Sequence, residues 1–151
     1  LDGVTVSGGS LASSDNAGAI FNDGGTLNVI NSTVTNNSAG FGGALYNNGA
    51  ASTITIIDST LSSNSATQNG GFMMNDSGSA TIIRSTVSGN SSTGPSGNGA
   101  IYNFEADLDI IDSAFTGNTS TTSVGALQNF AGTTNIANSV FAGNSSVNTS
   151  G

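Results

Sequence analysis

Asn closes a short phrase five times in this chain, at positions 37, 64, 90, 118 and 144. The phrases are NSTVTNN (31–37), DSTLSSN (58–64), RSTVSGN (84–90), DSAFTGN (112–118) and NSVFAGN (138–144), so the steps between closing Asn residues are 27, 26, 28 and 26. GVTVSGG (3–9) reads as a degenerate first copy with Gly9 in the Asn place. Self-similarity at such a period marks a chain built from stacked units, none of which buries its apolar face alone.

Two more phrases recur at the same period. One is GAIFN (18–22), GALYN (43–47), GFMMN (71–75), GAIYN (99–103) and GALQN (125–129). The other is TLNVI (26–30), TITII (53–57), SATII (79–83), DLDII (107–111) and TTNIA (133–137). The apolar positions alternate rather than recur at three and four, and Gly, Asn and Ser separate the segments. This pattern reads as β. Three short strands in about 27 residues predict a right-handed parallel β-helix, a β-solenoid whose coils stack at the ordinary inter-strand spacing of about 4.8 Å. Five full coils and a partial amino-terminal one fill residues 1–151 as one domain.

Stacking puts like residues over like. Asn37, Asn64, Asn90, Asn118 and Asn144 should form one file of amides, and Asn22, Asn47, Asn75, Asn103 and Asn129 a second. Amides in such files bond one another from coil to coil, as in cross-β ladders, which satisfies buried polar groups. Alternation places Gly43, Leu45 and Asn47 on the inner side. There Gly is expected to permit a tight corner, and Asn a turn with left-handed backbone.

Composition narrows the partners. Charged residues make up 7% of the chain, with one Arg, no His, no Cys and a net charge of −8; typical domains carry about 25%. Such a chain has little with which to displace counterions from phosphate, so nucleic acid is excluded as a partner. No run of about 18 apolar residues is present, and direct membrane insertion is not expected. The chain starts at Leu1 without a signal-peptide pattern, which suggests a processed protein or a segment of a longer one.

The phrases GGAL (Gly42, Gly43, Ala44, Leu45), FTGN (Phe115–Asn118) and FAGN (Phe141–Asn144) resemble the paired GGA[ILV] and FxxN motifs of polymorphic outer-membrane-protein repeats and related bacterial surface β-helix proteins. Val34, Leu61 and Val87 depart from the Phe position, and Gly70-Gly71-Phe72 replaces GGA. The resemblance implies secretion and display as a surface passenger, adhesin or matrix component. It carries over no catalytic residues.

Candidate sites lie among the outward positions. Parity sends Phe21, Tyr46, Met74, Tyr102 and Gln128 outward. Phe21, Tyr46 and Tyr102 are a candidate glycan platform, against the simpler readings of a self-stacking ladder or a row covered by a loop. Glu105, Asp107 and Asp109 alternate along FEADLDIID (104–112) and suggest one acidic face. Clustered oxygens offer a weak Ca²⁺ site and, more remotely, a glycosidase carboxylate pair. The plain reading is a solvated face that blocks lateral sticking. A polysaccharide lyase on this fold would need a base near its acids, and Arg84 is the sole candidate. Arg84 stacks between Asp58 and Asp112 and is expected to bond both.

Two faces rich in Thr and Ser (Thr53, Thr55, Ser79, Thr81; Thr33, Thr35, Thr60, Ser62, Thr86, Ser88) resemble ice-binding arrays. Asp107 and Asp109 break one, and Ala114, Val140 and Ala142 the other. Asn-x-Ser/Thr sequons such as those at Asn31, Asn90 and Asn118 arise by chance in so Asn-rich a chain.

The expected function is therefore a non-enzymatic extracellular, structural or adhesive β-solenoid without a cofactor, displayed on a surface or fibre-forming. Neither LDGVTVSGG nor NSSVNTSG reads as a cap, so the solenoid is expected to continue into further coils or to stack head-to-tail on copies of itself. The alternatives are a glycan- or ice-binding module and, less favoured, a polysaccharide-degrading enzyme.

Overall fold

The structure, a computed structural model, describes residues 1–147, so the last four residues of NSSVNTSG lie outside it. Its described regular elements are all strands. Sheet I comprises Ile20–Asp23, Leu45–Asn48, Met73–Asp76, Ile101–Phe104 and Leu127–Phe130. Sheet II comprises Thr26–Ile30, Thr53–Ile57, Ser79–Ile83, Asp107–Ile111 and Thr133–Ala137. Sheet III comprises Thr5–Ser7, Thr33–Thr35, Thr60–Ser62, Thr86–Ser88, Ala114–Thr116 and Val140–Ala142. All neighbours pair in parallel, each strand with its equivalent one repeat away. The chain is a parallel β-solenoid.

Three strands per coil were expected, and there are four. Sheet IV is built from two-residue strands, Ser38–Ala39, Ser65–Ala66, Ser91–Ser92, Thr119–Ser120 and Ser145–Ser146. Two residues are too short to display an alternation, which hides this strand from a periodicity argument. The unequal steps fall in the connectors. The turn after Asn48 and the loop 93–98 absorb the extra residues, while the strands keep their register.

The inward columns make one core. Val34, Leu61, Val87 and Phe115 line sheet III, and Val29, Ile54, Ile56, Ile82, Leu108 and Ile110 line sheet II, all at most 1% exposed. Phe115 stacks on Phe141 with ring centroids 4.6 Å apart and an interplanar angle of 10°. The third coil places Phe72 where its neighbours have Ala44 and Ala100, and Ala80 where they have Ile54 and Leu108. A larger residue at one position of that coil is offset by a smaller one at another, as interior packing density requires.

Both Asn files line up as the sequence predicts. Asn37 Nδ2 and backbone N–H donate to Asn64 Oδ1 at 3.0 and 3.1 Å. The same pair of bonds joins Asn64 to Asn90, Asn90 to Asn118 and Asn118 to Asn144, at 2.8–3.0 Å. In the second file Asn22, Asn47, Asn75 and Asn103 donate in turn to Asn47, Asn75, Asn103 and Asn129 Oδ1, at 2.7–2.8 Å.

A third file escaped the sequence reading. The backbone N–H groups of Ser32, Ser59, Ser85 and Ser113 donate to the Oγ of Ser59, Ser85, Ser113 and Ser139. Each Oγ in turn donates to the carbonyl two residues back. The column was legible as recurring Ser; its bonds were not, because a hydroxyl is short and its partner is set by the corner.

Two local expectations are corrected. The Asn residues of the files do not adopt left-handed backbone. The residues just before the first file do: Asn36, Ser63, Gly89, Gly117 and Gly143 have φ of 55–63°. The Asn side chain serves the ladder and its neighbour makes the turn. Gly43 likewise is not needed for a bend. A Cβ there would lie 2.1 Å from Gly71 O and 2.5 Å from Ser65 O, both backbone atoms. Gly18, Gly71 and Gly125 are similarly pressed on the sheet IV strand that closes their own coil. Gly is required because two stretches of backbone meet.

Two stability outcomes follow from this packing. Gly43→Ala should destabilise the fold by about 2–3 kcal/mol, read from urea unfolding midpoints. Asn90→Ala leaves the Asn64 N–H and Nδ2 without their acceptor and should cost about 2–5 kcal/mol; a loss under 1 kcal/mol would show that the ladder contributes little.

Candidate functional site

Most of the outward row of sheet I is closed to solvent, the simpler of the readings its sequence allowed. Tyr46, Met74 and Tyr102 are 8%, 6% and 9% exposed, whereas Phe21 is 47% exposed and Gln128 half-buried. The connectors from sheet IV to sheet I close over this row and make a second apolar cluster of Ala17, Tyr46, Met74 and Tyr102, with Phe41 and Phe104 against it. Alternation fixes the side of a strand on which a residue stands; it does not say what else packs on that side. Of the three candidate platform residues, only Phe21 shows an open face. Its ring centroid lies 5.4 Å from that of Tyr46, tilted by 36°.

Asp76 organises the polar edge of this cluster. Its carboxylate accepts a 2.8 Å hydrogen bond from Tyr46 Oη and another from Ser77 Oγ. Burial chiefly, then the hydrogen bond to Asp76 and its charge, pushes the Tyr46 phenol well above its ordinary range. Tyr102 is raised by burial and, more weakly, by the Asp76 charge. Both raised values mean that the folded chain favours the protonated phenols. The stability they contribute is complete below the usual tyrosine pKa of about 10 and is lost as pH rises through the folded values.

The acidic trio does not converge. Glu105 occupies a corner with φ of 49°, in the column of Gly24, Gly49, Ser77 and Ala131, which breaks the alternation. Only Asp107 and Asp109 stand on the outward face of their strand. There Asp109 Oδ1 accepts from Asn135 Nδ2 at 2.9 Å. Among the described residues no group of three or more His, Cys, Asp or Glu side chains comes together to hold a metal ion. The Ca²⁺ reading of Glu105, Asp107 and Asp109 therefore loses its geometric basis.

Arg84 pairs with Asp58 alone. Its Nε and Nη2 reach Asp58 Oδ1 and Oδ2, both at 2.8 Å, while Asp112 acts on it only through charge. The planar fork aims Nε and Nη2 at one carboxylate, on the coil before it, and so away from Asp112 on the coil after it. The guanidinium hydrogen bond holds the Asp58 carboxyl below its usual range. Both side chains are about half exposed, so the pair contributes little to stability.

On sheet II the outward Thr and Ser share their face with a column the sequence reading passed over. Ile30, Ile57, Ile83 and Ile111 stand outward and half-buried beside Thr55, Thr81 and Asp109. On sheet III, Ser62 Oγ donates to Thr35 Oγ1 across coils at 3.2 Å.

The chain matches no protein-family model, no curated protein and no solved structure. The fold defines it as a parallel β-solenoid with three internal polar files and a side cluster where connectors close over sheet I.

A pH titration followed at 295 nm should find both tyrosines ionising above pH 10 in the native chain and near 10 in urea. Normal titration of the folded chain would mean that the side cluster is open.

Proposed function

We propose that this chain is a non-enzymatic structural module of the bacterial cell surface or extracellular space, a rigid axial rod carried within a longer stack of coils. One observation carries the reading: three internal hydrogen-bonded files persist from coil to coil, while the outward polar pairs of sheet II do not. The Asn, Ser and apolar columns persist through successive coils. The outward pairs change from Thr53/Thr55 to Ser79/Thr81 to Asp107/Asp109. A polar array that bound a periodic ligand along this face would keep its Thr and Ser, and Asp107 and Asp109 interrupt them. The likeness of Gly42–Leu45, Phe115–Asn118 and Phe141–Asn144 to polymorphic outer-membrane-protein repeats supports surface display. The inward residues Ile136 and Phe141 of the carboxyl-terminal coil, at 50% and 38% exposed, support extension of the stack along its axis.

Antibodies against the chain should label intact source cells. Labelling only after permeabilisation would overturn the surface placement. Glycan arrays and thermal-hysteresis measurements should both be silent, and a signal in either would replace the structural reading with a binding one.

A further inference from the structure

The three internal files have a direction. In every one the donor lies on the earlier coil and the acceptor oxygen on the later one: Asn118 N and Nδ2 to Asn144 Oδ1, Ser113 N to Ser139 Oγ, and Asn103 Nδ2 to Asn129 Oδ1. The amino-terminal coil obeys the same rule with side chains that cannot accept. Val4 N donates to Ser32 Oγ at 3.2 Å and Gly9 N to Asn37 Oδ1 at 3.0 Å, and neither residue has a side-chain oxygen or amide with which to continue the file. Two of the files thus begin at Val4 and Gly9.

At the carboxyl-terminal edge the rule leaves donors waiting. The N–H groups of Ser139 and Asn144 have no acceptor among the described residues. Asn144 Nδ2 reaches only Phe115 O, and Asn129 Nδ2 only Gly132 O. Around them the inward residues Ile136 and Phe141 are 50% and 38% exposed, where their equivalents Ile110 and Phe115 are fully buried. Donors that are satisfied in every other coil and an uncovered core meet at one surface.

We propose that this edge is a docking surface for one further coil carrying the pattern Ser-x-apolar-x-x-Asn, with Ser stacked on Ser139 and Asn on Asn144. The inference rests on the rod reading above and adds what the next layer must contain. Its Ser Oγ accepts from Ser139 N–H, its Asn Oδ1 accepts from Asn144 N–H and Nδ2, and its apolar residue covers Phe141. A buried N–H without an acceptor is costly, so the layer that supplies these oxygens is preferred over one that does not. The amino-terminal coil of a second copy does not fit. Stacked in phase it would set Val4 over Ser139 and Gly9 over Asn144, leaving those donors unmet. The direction of the files therefore disfavours head-to-tail stacking of this chain on itself and favours a coil of the repeat type.

The test extends the full chain. A copy of residues 126–147 is added after Gly151, which keeps the 26-residue step from Gly125. A second version carries Val and Gly at the added Ser and Asn positions, mirroring Val4 and Gly9. Amide hydrogen exchange by NMR should show Ser139 and Asn144 protected at least about tenfold more in the first version than in the second, with the intervening strand amides protected alike. Equal protection of Ser139 and Asn144 in both would overturn the proposal. Light scattering of the unextended chain should show a monomer at all concentrations; end-to-end multimers would overturn the choice of occupant while leaving the rod reading intact. Cell-surface labelling bears on that reading alone, so the two can fail separately.

Discussion

Hydrogen bonding between equivalent side chains of successive coils is the constraint on which the rest of this structure depends. An amide or hydroxyl inside a narrow solenoid has no water to turn to, and an unmet buried group is costly. Placing the same residue at the same point of each coil solves this, because each oxygen finds the N–H of its own kind one layer away. The solution also fixes register. A slip of one residue between coils would take every Asn and Ser of the files away from its acceptor and turn every apolar column to the wrong side.

Rigid register in turn dictates the corners. The files leave no slack for the backbone, so the bend is delegated to the residue beside the Asn, in left-handed conformation whether Gly, Asn or Ser. Where the chain passes from sheet IV to sheet I, the coil narrows until main chain touches main chain, and Gly stands there because a methyl group has no room. The connectors are free of this constraint. They vary in length, close over the outer row of sheet I, and bury Tyr46, Met74 and Tyr102 in a cluster of their own. Variation is concentrated where the ladders do not reach, in the outward polar pairs of sheet II and in these connectors.

Such a stack is nearly one-dimensional, with each coil held by its two neighbours. Its interior is polar in a directional way, donor on one coil and acceptor on the next, so its two ends are chemically unlike. That asymmetry distinguishes it from a simple pile of apolar layers. It makes the identity of an adjoining coil a matter of hydrogen-bond acceptors as well as of apolar area.

The sequence by itself determined the repeat, the parallel β-solenoid and the two Asn files, because a column of identical residues at a fixed period is written in one dimension and stacking only reads it out. It also located the apolar columns, since alternation is local. It did not disclose sheet IV, whose strands are too short to alternate, nor the offsetting of Phe72 by Ala80, which belongs to the volume of one coil. It left open whether a loop covers Tyr46 and Tyr102, and it misjudged the grouping of Glu105 with Asp107 and Asp109 and the partners of Arg84. Each of those turns on where a connector folds back or which way a corner aims its side chain. A shared period fixes the column a residue stands in and not these directions, which were decided by the tertiary structure alone.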